Sequence, residues 1–359
     1  MLRKIKHFKA MVDLGQLIGK EYGQFFEVRD SKSGELIEVT DVHQLTNQFL
    51  EDVDFGDAEE NEEVKEIIDP VAGRDNRDYV DDNKSQKLSH EEIEALKKQG
   101  MSGNELIQQL VQNSETFSKR TKFSQEKYLR KKKQKYQITF QLKKPTALEL
   151  CNVYSQTQPA KIMGLRADSL ALLLNMANIN QESRVILLDK TKGLLTGALI
   201  EKDVREILHV EFTGHQLKLQ NEIFLEYNYK PDKVKRIQYL HHTNLDQSIV
   251  QSDSLLNAII QTKTKHYNSM IMVHEDFNQV EMYNHIEHLI QPSASIAVFS
   301  LYIQSLAELK DHLLTNKKAV NIKIEELWTR EYQVLPMRTH PNMNMHGASG
   351  FILSAVKVE

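Results

Sequence analysis

Arg184-Val-Ile-Leu-Leu-Asp189, followed at once by Lys190-Thr-Lys-Gly-Leu-Leu-Thr-Gly197, decides how the second half of the chain is read. A short apolar run ending in an acid reads as a buried strand, and the glycine-containing turn after it opens a helix. Similar apolar runs recur at 207–212, 270–273, 295–299 and 351–356. Helical patterns at 146–154 and 166–178 precede the first of them, and others at 251–261, 278–289 and 303–314 lie between or after them. Strands alternating with helices predict a mostly parallel, doubly wound α/β sheet. Pro145 ends the preceding pattern, so the boundary of this domain is expected near 145–155.

A nucleotide-binding sheet of this kind needs a glycine-rich turn after its first strand, because backbone must come close to the ligand there. Here only Gly193 and Gly197 are glycines, and Leu194 and Leu195 place branched bulk in the ligand's path. The turn therefore reads as a structural strand-to-helix connection. Glu211, near the end of the second strand, stands where an acid could hold a ribose hydroxyl, but without the glycine loop it reads as an ordinary strand-end residue.

Upstream of Pro145 the pattern is different. Phe25–Val28 and Glu35–Val39 flank Ser31-Lys-Ser-Gly34 and predict a hairpin, and the short strands around them suggest a small antiparallel barrel or sheet. Residues 51–86 are acidic and lack periodicity, so they read as a weakly ordered insert: between 51 and 69 ten acids face Lys65 alone. Ser89-His-Glu-Glu92 and Ser102-Gly-Asn-Glu105 are two capping boxes, each starting a helix, and Leu106, Ile107, Leu110 and Val111 share one face of the second. A basic stem beginning near Ser124, helical or extended, leads into Tyr136–Leu142, which alternates as a strand. The expected domains are thus 1–145, a small β-barrel carrying the acidic insert and a basic helical insertion at 88–136, and 146–359, the Rossmann-like part.

The chain has 359 residues and a formal net charge of −4, with 40 % apolar residues, enough for real cores. No stretch approaches the ~18 consecutive apolar residues of a membrane helix. The start has charges but no apolar segment behind it, so an intracellular soluble protein without membrane partners is expected. The single cysteine, Cys151, excludes an intrachain disulfide and reads as a small core residue. His241, His242, His274, His285 and His288 form no metal-binding spacing, so no metal is expected. No Gly-x-Ser-x-Gly nucleophile turn is present.

The near-neutral total conceals a basic run. Between 119 and 135 nine lysines and arginines are opposed by Glu126 alone. Lys127, Tyr128, Arg130, Lys131, Lys132, Lys133 and Lys135 combine dense positive charge with an aromatic ring, and Tyr136 adds a second. Lysines and arginines of this density neutralise phosphates, and the tyrosines either stack on bases or pack on the fold. A solvated helix face or a nuclear-import signal is the alternative, and the expected location is the nucleus.

Thr121–Tyr136 resembles the signature stretch of the non-catalytic subunit family of eukaryotic tRNA (adenine-58-N1)-methyltransferases. Leu88–Gly100, Ser102–Ile107, Leu17–Gly23 and Leu335–Pro341 are similar to the same family, in the family's order. The resemblance implies an N-terminal β-barrel with a helical insertion, then a methyltransferase-like Rossmann domain with a degenerate donor site. It implies no catalytic residue and no cofactor in this chain. S-adenosylmethionine would sit on a homologous catalytic partner, the two forming a heterotetramer that methylates tRNA, and this chain would supply tRNA binding and assembly. In such partners the fourth strand carries an acid before a leucine- or proline-containing turn; Val273-His-Glu-Asp-Phe-Asn278 has Glu275 and Asp276 but no such turn. His346-Gly-Ala-Ser-Gly350 is less glycine-rich than the family's usual loop. The other readings are an active S-adenosylmethionine-dependent methyltransferase, with a donor site around Gly193, Gly197 and Glu211, and a stand-alone RNA-binding translation factor.

Overall fold

The architecture comes from a computed structural model that describes residues 4–7, 10–30, 34–39, 87–89, 92–93, 95–96, 101, 103–114, 116–118, 125, 128–129, 131–133, 136, 138–212, 222–241, 266–274, 278–334, 339–343, 345 and 347–358. The chain divides into two compact units. Met1–Lys144 with Tyr332–Asn342 form the first, and Pro145–Glu331 with Met343–Glu359 the second.

In the first unit β1 (Lys4–His7) and β2 (Ala10–Asp13) pair as an antiparallel ribbon. The expected hairpin is present: β3 (Phe25–Asp30) pairs antiparallel with β4 (Glu35–Val39). Residues Leu14–Leu17 turn as a 3-10 helix because the Asp13 carboxylate accepts the Gly15 amide at 3.0 Å. Val12 and Val28 are buried together, with Leu36, Ile138 and Phe140 packed on them. The capping box at Ser89 is formed in both directions: its amide donates to Glu92 Oε2 at 2.8 Å, and the Glu92 amide to Ser89 Oγ at 3.3 Å. Helix α1 (Gly103–Gln112) buries Leu106, Ile107 and Leu110; Ser102 of the second box, Ser124 and the acidic insert lie outside the described residues.

Every described residue from 125 to 136 is helical, and the strand expected at Tyr136–Leu142 is shorter. It is β5 (Thr139–Gln141), on the other side of β3 from β4. Tyr136 is taken into the helix because its ring packs on Ile93, Leu106 and Leu110. Among the described residues this sheet has three strands and does not close into a barrel.

The second unit opens with α2 (Ala147–Thr157), capped by Thr146, and α3 (Ala167–Met176). Then come β6 (Arg184–Asp189), α4 (Leu194–Glu201), β7 (Glu206–Glu211), α5 (Glu222–Glu226), α6 (Pro231–Val234) and β8 (Ile237–His241). They are followed by β9 (Tyr267–Val273), α7 (Gln279–Ile286), β10 (Ile290–Ser300), α8 (Ile303–Thr315) and β11 (Ala319–Trp328). The short ribbon of β12 (Tyr332–Gln333) and β13 (His340–Pro341) goes with the first unit, and β14 (Ala348–Lys357) ends the second.

Among the described residues seven strands form one mixed sheet in the order β11-β14-β10-β9-β6-β7-β8. The five from β8 to β10 are parallel; β14 runs antiparallel to them, and the edge strand β11, antiparallel to β14, runs in the same direction as the five. The helical pattern at 251–261 lies outside the described residues, and β8 and β11 are strands that the apolar runs do not single out.

Alternation along each strand divides the unit's interior between the two faces. Val185 and Leu187 join the core beneath α2, α3 and α4, whereas Ile186 and Leu188 join the core on the other face, with α7 and α8. Both faces are covered, so the central strands are apolar throughout. Each fully buried aliphatic side chain there contributes roughly 1.5–3 kcal/mol of transfer free energy.

Candidate functional site

Asp189, Lys190 and Glu211 stand at the carboxyl ends of the neighbouring strands β6 and β7, where open α/β sheets bind their ligands. Here these groups pair with one another and with neighbouring groups of the chain. Asp189 is buried, and its Oδ1 accepts the Thr191 amide at 2.7 Å and the Thr191 hydroxyl as well. Its Oδ2 accepts the Thr196 amide at 3.1 Å and the Thr196 hydroxyl at 2.8 Å.

The first turn of α4 is closed in the same way. The Leu194 amide donates to the Thr191 carbonyl and the Leu195 amide to Thr191 Oγ1, both at 3.2 Å, while Gly197 donates to the Gly193 carbonyl at 3.0 Å. Amides at a helix start are the usual cradle for an anion or a cofactor. These are already paired.

Two residues shape the turn, Lys192 and Gly193, both left-handed with φ of 56° and 87°. Behind it Leu194 and Leu195 are fully buried, so the branched bulk read from the sequence faces the core. Helix α5 covers the Lys192 carbonyl, which accepts the Ile223 amide at 3.1 Å. Tyr227 donates to the Leu194 carbonyl at 3.0 Å and Tyr229 to the Gly197 carbonyl at 2.9 Å. Their rings stack with centroids 5.2 Å apart. A Cβ on Gly197 would lie 2.1 Å from Cε2 of Tyr227, so the glycine makes room for a ring of this chain.

Lys190 bridges the two strand ends. Its Nζ lies 2.7 Å from Glu211 Oε1, with the side chains only 13 % and 24 % exposed. The acid that could hold a ribose hydroxyl is thus matched by an internal cation. Neither Lys190 in that role nor Tyr227 was singled out above. The one signal available was a lysine directly after the strand-end acid. Beneath Glu211 on the same strand, His209 is buried, and among the described residues neither ring nitrogen has a hydrogen-bond partner. Burial holds its pKa below the ordinary 6.5, opposed by the charges of Asp189 and Glu211 and reinforced by Lys190.

Cys151 is fully buried, and its thiol donates weakly to the Leu165 carbonyl at 3.6 Å. Burial, with the nearby Asp168 charge, pushes its pKa up to about 12, which agrees with a core residue. Among the described residues no group of three or more His, Cys, Asp or Glu side chains could hold a metal ion. Among them, too, no helix is long and apolar enough to cross a membrane.

The basic segment is the second candidate. Lys127, Arg130 and Lys135 lie outside the described residues, whereas Tyr128, Lys131, Lys132 and Lys133 are described. Lys131 is exposed, and Lys132 and Lys133 are half-buried. Tyr128 packs edge-on to Phe117 with centroids 5.5 Å apart, beside buried Leu129 and Ile107. The tyrosines of the run therefore pack on the fold. The Lys132 ammonium lies 5.1 Å from the centroid of the Tyr128 ring and 5.8 Å from that of Tyr136.

The family model described as "Gcd10p family" matches residues 2–325. The chain is similar to the tRNA (adenine(58)-N(1))-methyltransferase non-catalytic subunit trm6 of Dictyostelium discoideum, with 29 % identity over 99 % of this chain and 74 % of that protein. It is likewise similar to the subunit of the same name from Mus musculus, at 26 % identity over 99 % of this chain and 84 % of that one. The corresponding protein of Schizosaccharomyces pombe is 26 % identical over 95 % of this chain and 83 % of its own length. Matched over residues 2–325, well over half of its length, the chain belongs to the Gcd10p family.

Proposed function

We propose that this chain is the non-catalytic subunit of a tRNA (adenine(58)-N(1))-methyltransferase. The observation that carries the reading is likeness along almost the whole chain to curated subunits of that name. The strand-end cluster supports it physically. A donor would have to displace Lys190 from Glu211 and four hydrogen bonds from Asp189, so S-adenosylmethionine belongs on a homologous catalytic partner.

In this reading the two chains form a heterotetramer, and the basic segment from Lys127 to Lys135 contributes phosphate contacts to tRNA. The N-terminal strands, with β2 packed beside the β4-β3-β5 sheet, suit the small barrel expected of the family. The expected location is the nucleus. The test is co-expression with the candidate catalytic chain and a methylation assay with and without this one. Methylation of tRNA by the pair and not by either chain alone is expected; full activity of the partner by itself would overturn the assignment.

A further inference from the structure

The cations of the basic helix do not have equal surroundings, and the helical period explains why. At 3.6 residues per turn, positions 125, 128, 129, 132 and 136 fall within an arc of about 100°. On that arc Gln125 and Leu129 are buried and Tyr128, Lys132 and Tyr136 are half-buried, as is Lys133 outside it. Gln125 is inside the fold, its side-chain amide donating to the Phe117 carbonyl at 3.0 Å, and Leu129 is 3 % exposed. Tyr128 sits on one hydrophobic cluster, with Ile107 and Phe117, and Tyr136 on another, with Ile93, Leu106 and Leu110. Among the described cations Lys131, Lys132 and Lys133, Lys132 is the one that this spacing puts on the inner arc, and its ammonium stands within cation–π range of both rings. In sequence spacing Lys127, Arg130, Lys131, Lys133 and Lys135 all fall on the remaining arc, and described Lys131 is exposed.

We infer that Lys132 is a positioning residue: its ammonium ties the tyrosine of one cluster to the tyrosine of the other, seating the basic helix so that the outer cations meet phosphate. The inference rests on the reading of this segment as a tRNA-contacting one and divides its residues by role. The outer cations bind, while Lys132 and Tyr128 hold the helix in place.

The test uses the purified complex of this chain with its catalytic partner and measures tRNA affinity at several salt concentrations, with hydrogen exchange over residues 125–136. Lys131→Ala should lower the salt slope by roughly 0.7–0.9. Lys132→Met keeps the apolar stem and removes the charge. It should leave the slope unchanged while amide protection of the helix falls by about two- to five-fold, the effect of a lost exposed cation–π contact. Lys132→Arg, which keeps a cation over the rings, should restore that protection. A slope reduced by Lys132→Met as much as by Lys131→Ala, with protection intact, would make Lys132 a phosphate contact and overturn the inference. The parent reading fails differently. If Arg130→Ala, Lys131→Ala and Lys133→Ala together leave affinity and slope unchanged, the segment is not in the tRNA interface, and Lys132 positions nothing for it.

Discussion

Lys190 Nζ and Glu211 Oε1 stand 2.7 Å apart across the ends of two parallel strands, 21 residues from each other in the chain. This contact places a fixed internal cation on the carboxylate that, in a nucleotide-binding sheet, would be reserved for ligand. Asp189 and the amides of the α4 start are also paired within the chain.

The isolated chain should therefore show no measurable heat on titration with S-adenosylmethionine at micromolar concentration. Stoichiometric binding would remove the physical basis for calling the site closed and favour an active methyltransferase.

Breaking the ion pair from one side should cost more than removing both charges. Lys190→Met leaves Glu211 in a poorly solvated place and should destabilise the chain by about 1–3 kcal/mol. Lys190→Met with Glu211→Gln should recover most of that loss in a denaturant-unfolding cycle.

Gly197→Ala brings a methyl group against the Tyr227 ring, where the free approach is only 2.1 Å. A loss of about 1–3 kcal/mol is expected from overpacking. Adding Tyr227→Leu should give a double variant more stable than the sum of the single changes allows, and strictly additive losses would show that the two positions do not clash.

His209 gives a pH dependence of definite sign. Its folded pKa lies below the ordinary 6.5, so the unfolded chain binds the extra proton first as pH falls. Its contribution to stability is present above pH 6.5 and is lost as pH falls below that value toward the folded pKa. His209→Phe should flatten the fall in thermal midpoint between pH 7.5 and 5.5. Parallel curves for the two proteins would mean the imidazole is not held neutral.

Cys151, with its pKa pushed up to about 12, should have roughly one thiol in ten thousand ionised at pH 8. A disulfide reagent should label it in denaturant within minutes and leave the native chain unlabelled over the same interval. Rapid native labelling would contradict its burial.

Local pattern was enough for much of this molecule. The strand Arg184–Asp189, the hairpin of β3 and β4, the Ser89 capping box and the α/β character after Pro145 each depend on residues close in sequence, whose periodicity or hydrogen-bonding chemistry has one ready interpretation. The absence of a glycine cradle at Lys190–Gly197 was legible for the same reason. Other features required the tertiary structure. Strand β11 lies at a sheet edge with half its residues wet, and β8 at the other edge, so neither presents the apolar run that marks the central strands. Tyr136 reads as part of an alternating strand until Ile93, Leu106 and Leu110 claim its ring for the helix. The partners Lys190 with Glu211, and Tyr227 with Gly197, are set by sheet order and by the fold of α5 over the turn, which no spacing encodes. The sequence by itself determined the central strands, the hairpin, the α/β character after Pro145 and that the turn after β6 is poor in glycine. Only the tertiary structure decided which charges meet there, because long-range neighbours are chosen by packing, and packing is a property of the whole sheet.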